Sequence, residues 1–297
     1  MSRITLIGPG AIGCAIGGAL IEAGHTVTFA ARQAFTHLTL RKENQPPTVY
    51  PAAVVTDPDQ VPEADWVLLC VKAFSVPSAA AWLTAAIGPQ TNLAVLQNGV
   101  EQRETVAGLV PAATPVVPVI IDLPASRSAP GYVTWKRIAT VTVPEGPEGQ
   151  AFAALFAGSF VTAEATGGFV TSAWLKLCNN APSGAVLALT GQRMRVMHEP
   201  GIADVVRAIL KECIAVGRAE GANLDEPIIE RQLQAFLAAG GDDGNSMFED
   251  RMAGHEMEWD ARNGVIVRKA AKHGIAVPVS AALVPLLAAI SKAAKPG

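Results

Sequence analysis

Three glycines near the amino terminus have the spacing of a dinucleotide-binding loop. Gly8, Gly10 and Gly13 form the pattern G-x-G-x-x-G, which directly follows a short β-forming run (4–7) and opens a helical stretch (12–23). In that setting the first glycine permits a tight turn, the second lets the backbone approach a pyrophosphate, and the third lets the helix pack close to the strand. Amide groups at the helix N-terminus would face the anion. The candidate contacts are Gly8, Pro9, Gly10, Ala11, Ile12 and Gly13.

The same pattern also occurs in strand–helix turns that bind nothing. Here it sits at residue 8, between a predicted strand and a predicted helix, where the dinucleotide fold places it. This position favours the binding loop over the bare turn.

The end of the second predicted strand indicates which dinucleotide would bind. NAD sites usually carry Asp or Glu at this point, where the carboxylate holds the ribose 2′-hydroxyl. Here the strand (26–30) leads into Arg32, and no carboxylate is near. A guanidinium can bind a 2′-phosphate with two hydrogen bonds, whereas a carboxylate would repel it. Arg32 therefore favours NADP(H), with a solvated loop arginine as the alternative.

A lysine and an asparagine share one face of an apolar helical stretch. Lys176 and Asn180 are four residues apart, and Gly184 continues that face and leaves room beside it. A lone lysine in such a stretch could simply extend its ammonium group to water. Because polar groups on a buried helix cost free energy unless they find partners, the shared stripe indicates a polar purpose.

A further set of polar residues lies near the carboxyl terminus. Ser246 and Glu249 have the Ser-x-x-Glu spacing of a capping box, so Ser246 has a structural interpretation as the N-cap of a long helix (246–273). Glu256 and Glu258 follow within that predicted helix. A run of acids on a helix is usually a solvated face, and the residues alone do not distinguish one glutamate from the other.

The elements that must position these residues indicate a parallel α/β sheet in the first half of the chain. Short apolar or β-branched runs alternate there with helical stretches. The predicted strands of this sheet are 4–7, 26–30, 66–71 and 92–96. Two further runs, 132–135 and 138–143, follow a Pro-Gly pair. We expect them to form a hairpin-like pair at the edge of the same sheet.

The best domain boundary lies at residues 165–168, because β-type runs nearly vanish beyond it. The predicted helices there are 172–189, 200–220, 226–239, 246–273 and 281–294. Pro182 could kink the first of them. The predicted fold is therefore α/β, with an N-terminal Rossmann-type dinucleotide-binding domain (1–166) and a C-terminal all-helical domain (167–297) that carries substrate and catalytic residues.

Composition excludes several other classes of protein. Apolar types make up 50% of the 297 residues and charged types 16%, which excludes a disordered chain. Lys and Arg number 23 against 26 Asp and Glu, so the net charge of −3 excludes an ordinary basic nucleic-acid binder.

The longest apolar uncharged stretch (106–121) is broken by three prolines and is too short to span a membrane. The first residues also lack the features of a signal peptide. The four cysteines lie far apart, without the spacing of a disulfide or zinc framework. We expect a cytoplasmic protein that binds a small molecule and uses no nucleic acid, membrane or metal.

Taken together, these motifs resemble the ketopantoate reductase (2-dehydropantoate 2-reductase) family over nearly the whole chain. The order and spacing of seven segments are more specific than any one of them. The segments are Gly8-Pro-Gly-Ala-Ile-Gly13; Arg32; Val71-Lys72-Ala73; Gln97-Asn98-Gly99; Trp174-Leu-Lys176-Leu with Asn180; Asn245-Ser246-Met247; and Glu258 with Asn263-Gly264 and His273-Gly-Ile-Ala-Val-Pro278.

The resemblance implies an NADP-dependent oxidoreductase that reduces a 2-oxo acid, converting 2-dehydropantoate to pantoate in pantothenate and coenzyme A biosynthesis. It implies that Lys176 donates the proton and that Glu258 orients cofactor and substrate. An ammonium group suits this role, because it can stabilise the negative charge that develops on the carbonyl oxygen and then protonate it.

Further contacts are implied by the resemblance alone. Asn98, Asn180 and Ser246 would contact the substrate or the nicotinamide. Lys72 and Arg32 would lie at the adenosine-phosphate end of the cofactor.

The sequence also departs from the family pattern. Gly184 stands where the family usually has a second substrate-binding asparagine, and the segment 116–122 replaces a threonine-rich strand. Two alternatives therefore stay open: a related dehydrogenase for another 2-oxo or 3-hydroxy acid, and a non-catalytic NADP(H)-binding regulator. The helical domain could also supply the surface of a homodimer.

Overall fold

A computed structural model describes residues 1–136 and 138–293. The chain folds into two compact units. The first comprises Met1–Asn98 and Gln102–Phe169, and the second comprises Gly99–Glu101 and the described residues from Val170 onward.

All strands in the described residues belong to the first unit. They are β1 (Arg3–Ile7), β2 (Thr26–Ala30), β3 (His37–Lys42), β4 (Thr48–Pro51), β5 (Ala53–Val55), β6 (Trp66–Leu69), β7 (Asn92–Val95), β8 (Val116–Pro118), β9 (Ile120–Asp122), β10 (Ala125–Ala129), β11 (Tyr132–Trp135), β12 (Thr140–Pro144) and β13 (Thr162–Thr166).

Six strands form one parallel sheet in the order β5-β2-β1-β6-β7-β8. The central strand β6 is buried at every position, as its uninterrupted apolar sequence predicts for a strand covered on both faces. The predicted parallel sheet of a Rossmann-type domain is thus confirmed.

Four helices of the first unit accompany these strands. They are α1 (Ala11–Glu22), α2 (Ala80–Ala86), α3 (Gln102–Val106) and α4 (Pro147–Ala154). The first of them ends at Glu22, and Gly24 follows with a φ of +86°, the left-handed conformation that glycine adopts without strain. The amides of Gly24 and His25 bond to the carbonyls of Ile21 and Leu20, each at 3.0 Å, and so close the helix.

The prediction of a hairpin-like pair at the sheet edge is wrong. β11 pairs with β10 and β3 in a four-stranded sheet of order β10-β11-β3-β4, whereas β12 pairs with β9 and β13 in a separate three-stranded sheet. The Pro-Gly turn instead joins β10 to β11, because Gly131 adopts a φ of +72° there. Both runs contain strands, as predicted, but strand partners distant in sequence set their pairing.

Helices alone make up the regular structure of the second unit in the described residues, as predicted. They are α5 (Phe169–Thr190), α6 (Ile202–Ala219), α7 (Ile228–Ala238), α8 (Ser246–Met252), α9 (Val265–His273) and α10 (Pro278–Lys292), with a π-helical turn at Asp260–Gly264 and a short 3₁₀ turn at Met194–His198. The last predicted helix reaches Ala294, which lies outside the described residues. No helix in the described part of the chain is long and apolar enough to cross a membrane.

The predicted long helix 246–273 is interrupted. α8 stops at Met252, and Gly254 follows with a φ of +70°. The chain is irregular over residues 255–258 and becomes helical again at Trp259, just before the π-helical turn. α5 runs through Pro182, and a kink at this proline stays a prediction.

Glu212 ties two helices of the second unit together. It is only 8% exposed, and its two carboxylate oxygens accept hydrogen bonds from the amides of Val279 and Ser280, each at 2.8 Å. These amides belong to the first turn of α10, where no intrahelical partner exists. A side chain of α6 therefore supplies the cap of α10.

Candidate functional site

The glycine loop of the first unit has the shape that a dinucleotide requires. Gly8 has a φ of +87°, and a Cβ atom there would lie 2.5 Å from Cγ1 of Val71. A Cβ atom on Gly13 would lie 2.5 Å from the carbonyl oxygen of Gly8. A Cβ atom on Gly10 would meet nothing within 4 Å. The first and third glycines are thus fixed by packing, whereas the second faces open space.

Gly10 is also the N-cap of α1, and no side chain caps it. The first amides of that helix therefore stand beside the open space, where an anion would find donors. The fit is consistent with a bound pyrophosphate, and the contacts of Gly10 give no other reason for a glycine at this position.

Parallel pairing places three other predicted residues at the same edge of the sheet. Ile7 at the end of β1 pairs with Ala30 of β2 and Leu69 of β6. Arg32 follows β2 and is exposed, and Lys72 follows β6 and is half-buried. The carboxyl ends of parallel strands are where such folds bind their ligands.

Asn98 follows β7 at this edge and is half-buried. Its neighbour Gln97 is 6% exposed and donates through Nε2 to the carbonyl oxygen of Val71 at 2.9 Å. Gln97 also accepts from Thr105 Oγ1 at 3.2 Å. Gln97 therefore fixes the backbone that precedes Asn98, a positioning role that the motif alone did not reveal.

Arg127 is a cation beside the glycine loop that sequence reasoning missed. Its Nη1 lies 3.5 Å from the carbonyl oxygen of Pro9, and the residue is exposed. Burial raises the pKa of the neighbouring Cys14 thiol to about 11, although the charge of Arg127 opposes the shift. The residue was missed because β10, which carries it, belongs to the four-stranded sheet that the sequence did not predict.

In the second unit, the predicted stripe lies along α5. Lys176 and Asn180 are half-buried, and Gly184 is buried. A Cβ atom on Gly184 would lie 2.9 Å from Sδ of Met247 and 3.9 Å from Cδ of Arg262. The room beside the glycine is therefore already occupied by these two side chains.

Ser246 is not the N-cap of α8, contrary to its interpretation as part of a capping box. Asn245 caps the helix, and its Oδ1 accepts from the amide of Phe248 at 3.0 Å. Ser246 is the first helical residue and is exposed. Its Oγ instead accepts a hydrogen bond from Nη2 of Arg262 at 2.6 Å. Because Asn245 caps the helix, the hydroxyl of Ser246 is not used as a cap.

Burial separates the two candidate glutamates. Glu258 is 8% exposed, whereas Glu256 is exposed. The segment that follows Glu258 is the π-helical turn, and such turns are frequent at functional sites. These observations favour Glu258 as the functional acid.

Two buried residues of the π-helical turn connect this turn to α5 and α8. Asn263 is 2% exposed and donates through Nδ2 to the carbonyl oxygen of Ala181 in α5 at 3.0 Å. Arg262 is 4% exposed, and burial lowers the pKa of its guanidinium, against the charges of Glu258 and Asp250. Nε of Arg262 and Oδ1 of Asn263 are buried without a hydrogen-bond partner.

Comparison with known proteins matches both parts of the chain to one family. Residues 4–148 match the family described as "Ketopantoate reductase PanE/ApbA", and residues 169–291 match "Ketopantoate reductase PanE/ApbA C terminal".

Two curated relatives and one solved structure match nearly the full length. A 2-dehydropantoate 2-reductase of Caulobacter vibrioides is 42% identical over 288 residues, which cover 97% of this chain and 98% of that protein. A 2-dehydropantoate 2-reductase of Mycobacterium tuberculosis is 40% identical over 289 residues and 97% of each chain. The crystal structure of a PanE/ApbA family ketopantoate reductase from Ralstonia eutropha has a TM-score of 0.89 at 30% identity, covering 98% of each chain.

Proposed function

The chain belongs to the ketopantoate reductase family, and we infer from this that it reduces 2-dehydropantoate to pantoate with NADPH. The reaction is a step of pantothenate and coenzyme A biosynthesis. One structural observation carries the proposal: the hydrogen bond from Asn263 to Ala181 packs the segment bearing buried Glu258 against α5, the helix bearing Lys176.

The first domain (1–166) binds NADP(H) in this proposal, and the second (167–297) holds the substrate. The open face of Gly10 accepts the pyrophosphate, and Arg32 with Lys72 binds the adenosine phosphate. NADPH, when bound, supplies the hydride. Asn98 and Glu258 are further proposed cofactor contacts.

Lys176 is the general acid in this reaction. Negative charge develops on the carbonyl oxygen of the 2-oxo acid as its carbonyl carbon is reduced. The ammonium of Lys176 stabilises that charge by hydrogen bonding and then transfers a proton from Nζ to the oxygen, leaving the hydroxyl of the product and a neutral amine. The amine regains its proton from solvent before the next turnover.

Four side chains position the substrate: those of Glu258, Asn180, Asn98 and Ser246. Asn98, Asn180 and Ser246 offer hydrogen bonds to the hydroxyl and carboxylate of 2-dehydropantoate without adding charge. Glu258 orients the ammonium and the cofactor, a role that its burial supports because a buried carboxylate has little freedom to move.

A second candidate function is reduction of another 2-oxo acid. The observation that favours it is Gly184, where Met247 and Arg262 fill the space that an asparagine would need. A non-catalytic NADP(H)-binding regulator is the third possibility. Action in the cytoplasm and assembly as a homodimer stay predictions, which fractionation and sedimentation would test.

A panel of 2-oxo acids distinguishes these functions. NADPH oxidation is followed by absorbance with 2-dehydropantoate, pyruvate, 2-oxoisovalerate and phenylpyruvate at equal concentrations. We expect the highest kcat/KM with 2-dehydropantoate. A higher value with another acid supports the second candidate, and tight NADPH binding without turnover of any acid supports the regulator.

A further inference from the structure

The hydrogen bond between Ser246 and Arg262 makes the serine oxygen an acceptor and leaves its hydroxyl hydrogen as a donor. A guanidinium has only N–H donors, so the oxygen of Ser246 is the acceptor at 2.6 Å. The hydroxyl hydrogen then has to point elsewhere, since the Ser246 oxygen lone pair faces the guanidinium. Because Ser246 is exposed, this hydrogen is available to a ligand.

Arg262 is buried at the place from which it donates to Ser246. It is 4% exposed and lies in the π-helical turn, with its Cδ 3.9 Å from the position of a Cβ atom on Gly184. The absence of a side chain on Gly184 leaves that room to Arg262 and Met247. The glycine that departs from the family pattern thus accommodates the arginine.

Two carboxylates, those of Glu258 and Asp250, act on the guanidinium of Arg262 by charge. Its Nη2 donates to the neutral hydroxyl of Ser246. A charged donor polarises that hydroxyl and makes its own hydrogen a stronger donor.

We propose that Arg262 is a positioning residue: it holds the Ser246 oxygen as an acceptor and so directs the hydroxyl hydrogen to an oxygen of the substrate's carboxylate. This inference rests on the proposed function, because it takes a 2-oxo acid as the ligand. Gly184 has no side chain that could contact the acid. The proposal assigns part of the recognition of the acid to Arg262, acting through Ser246.

A double-mutant cycle tests the proposal. The parent, Ser246→Ala, Arg262→Gln and the double variant are compared for KM and kcat with 2-dehydropantoate, and for the Kd of pantoate by calorimetry. Circular dichroism and NADPH affinity check that each variant is folded. Arg262→Lys, which keeps a cation with donors only, is carried through the same cycle in case Arg262→Gln does not fold.

We expect Ser246→Ala and Arg262→Gln each to raise KM and the pantoate Kd roughly tenfold to a hundredfold, the loss of one hydrogen bond to a charged group. The change in kcat should be smaller than the change in KM. In the Ser246→Ala background, Arg262→Gln should add less than about threefold, because the arginine acts through the serine.

The methyl ester of the acid gives a readout that a purely structural role would not move. Arg262→Gln should reduce the preference for the acid over its ester in proportion to the rise in KM. Arg207→Gln is the matched control, since it removes another hydrogen-bonded guanidinium of the second unit, one that pairs with Glu230 and Asp204. Arg207→Gln should change neither the KM for the acid nor the preference for the acid over its ester.

Three outcomes overturn the role of Arg262, and a fourth overturns the proposed function alone. Additive losses in the cycle, or an unchanged ester preference, reject the role of Arg262 while leaving the proposed function intact, provided that the parent reduces 2-dehydropantoate. A parent that reduces no 2-oxo acid and binds no pantoate rejects both. A parent that binds pantoate without turnover rejects the proposed function alone, and the Kd cycle then decides the role of Arg262.

Discussion

Met247 occupies the space beside Gly184: a Cβ atom on the glycine would lie 2.9 Å from the methionine sulfur. Met247 is fully buried, so the sulfur has no solvent to move into. The side chain of Met247 in α8 therefore packs directly against α5 at this glycine. It also means that the family's asparagine could not be restored at this position without displacing a core side chain.

Gly184→Asn should therefore destabilise the protein and weaken substrate binding. Overpacking of a filled core costs about 1–3 kcal/mol, and displacement of the neighbouring Arg262 should raise the KM for 2-dehydropantoate. Urea unfolding and steady-state kinetics measure the two effects. Adding Met247→Ala should recover much of the lost stability by making room. A Gly184→Asn variant as stable as the parent and more active on 2-dehydropantoate would show that this packing does not limit the site.

Gly10→Val should prevent dinucleotide binding while the domain still folds. Gly10 has an extended backbone with φ −74°, which any residue adopts, and its Cβ position is empty. The added side chain would fill the approach of the pyrophosphate. NADPH titration by fluorescence should show that binding is lost, and the thermal unfolding temperature should be close to that of the parent.

Gly13→Ala is the contrasting variant, because its Cβ atom collides with the backbone and should lower stability. Normal NADPH affinity in Gly10→Val would leave the loop as a structural turn only.

Arg32→Ala should weaken binding of NADPH and leave binding of NADH nearly unchanged. Only the 2′-phosphate loses a partner, and a hydrogen bond to a charged group contributes roughly 1.5–3 kcal/mol, so the affinity for NADPH should fall about tenfold to a hundredfold. The exposed position of Arg32 after β2 suits this contact and makes a change in folding stability small. Calorimetry with both cofactors provides the measurement. Equal losses for NADPH and NADH would refute the assignment of Arg32 to the phosphate.

Glu220 should make the stability of the protein depend on pH in the acidic range. Its carboxylate lies 2.5 Å from Nε2 of His273 and 3.0 Å from Nζ of Lys269. Burial alone would raise the pKa of Glu220, but hydrogen bonds from these residues outweigh it, and the pKa is lowered from 4.5 to about 2. Because the pKa is lower in the folded protein, the stabilisation is present above pH 4.5 and is lost as the pH falls to about 2.

Glu220→Gln should flatten that dependence. Urea unfolding of the parent should show a fall in the free energy of unfolding across this range that is larger than in the variant. The exposed Glu256 provides a control, since Glu256→Gln should leave the slope as it is in the parent. Identical slopes in the parent and Glu220→Gln would contradict the role of this carboxylate.

The main sheet and the helical unit could be predicted because their signals are local. β6 is a continuous apolar run, and the glycines that precede and follow α1 have roles that are visible in the sequence. β3 and β4 were not predicted, since much of their surface is exposed and their pairing is set by distant strands. The break after α8 depends on the positive φ of Gly254. The spacing of apolar residues along a helix does not reveal this conformation.

At the candidate site, the sequence indicated residue types but not their burial. Glu256 and Glu258 look alike in the sequence, and only the fold buries one of them. Asn245 and Ser246 are both good N-caps, so local preference does not show which of them caps α8. Arg262 belongs to no recognised motif, and its contact with Ser246 depends on the π-helical turn.

The most direct test of the proposed reaction is the turnover of 2-dehydropantoate by Lys176→Ala. kcat is measured from NADPH oxidation at saturating substrate, together with the Kd of NADPH, for the parent and the variant. If Lys176 donates the proton, kcat should fall by about 10²–10⁴ while the Kd of NADPH changes much less, because general-acid catalysis acts mainly in the transition state. Lys176→Arg should not restore the rate, since a guanidinium stays protonated and does not donate at neutral pH. A Lys176→Ala variant that turns over within roughly threefold of the parent, far short of the loss expected for a general acid, would contradict the mechanism.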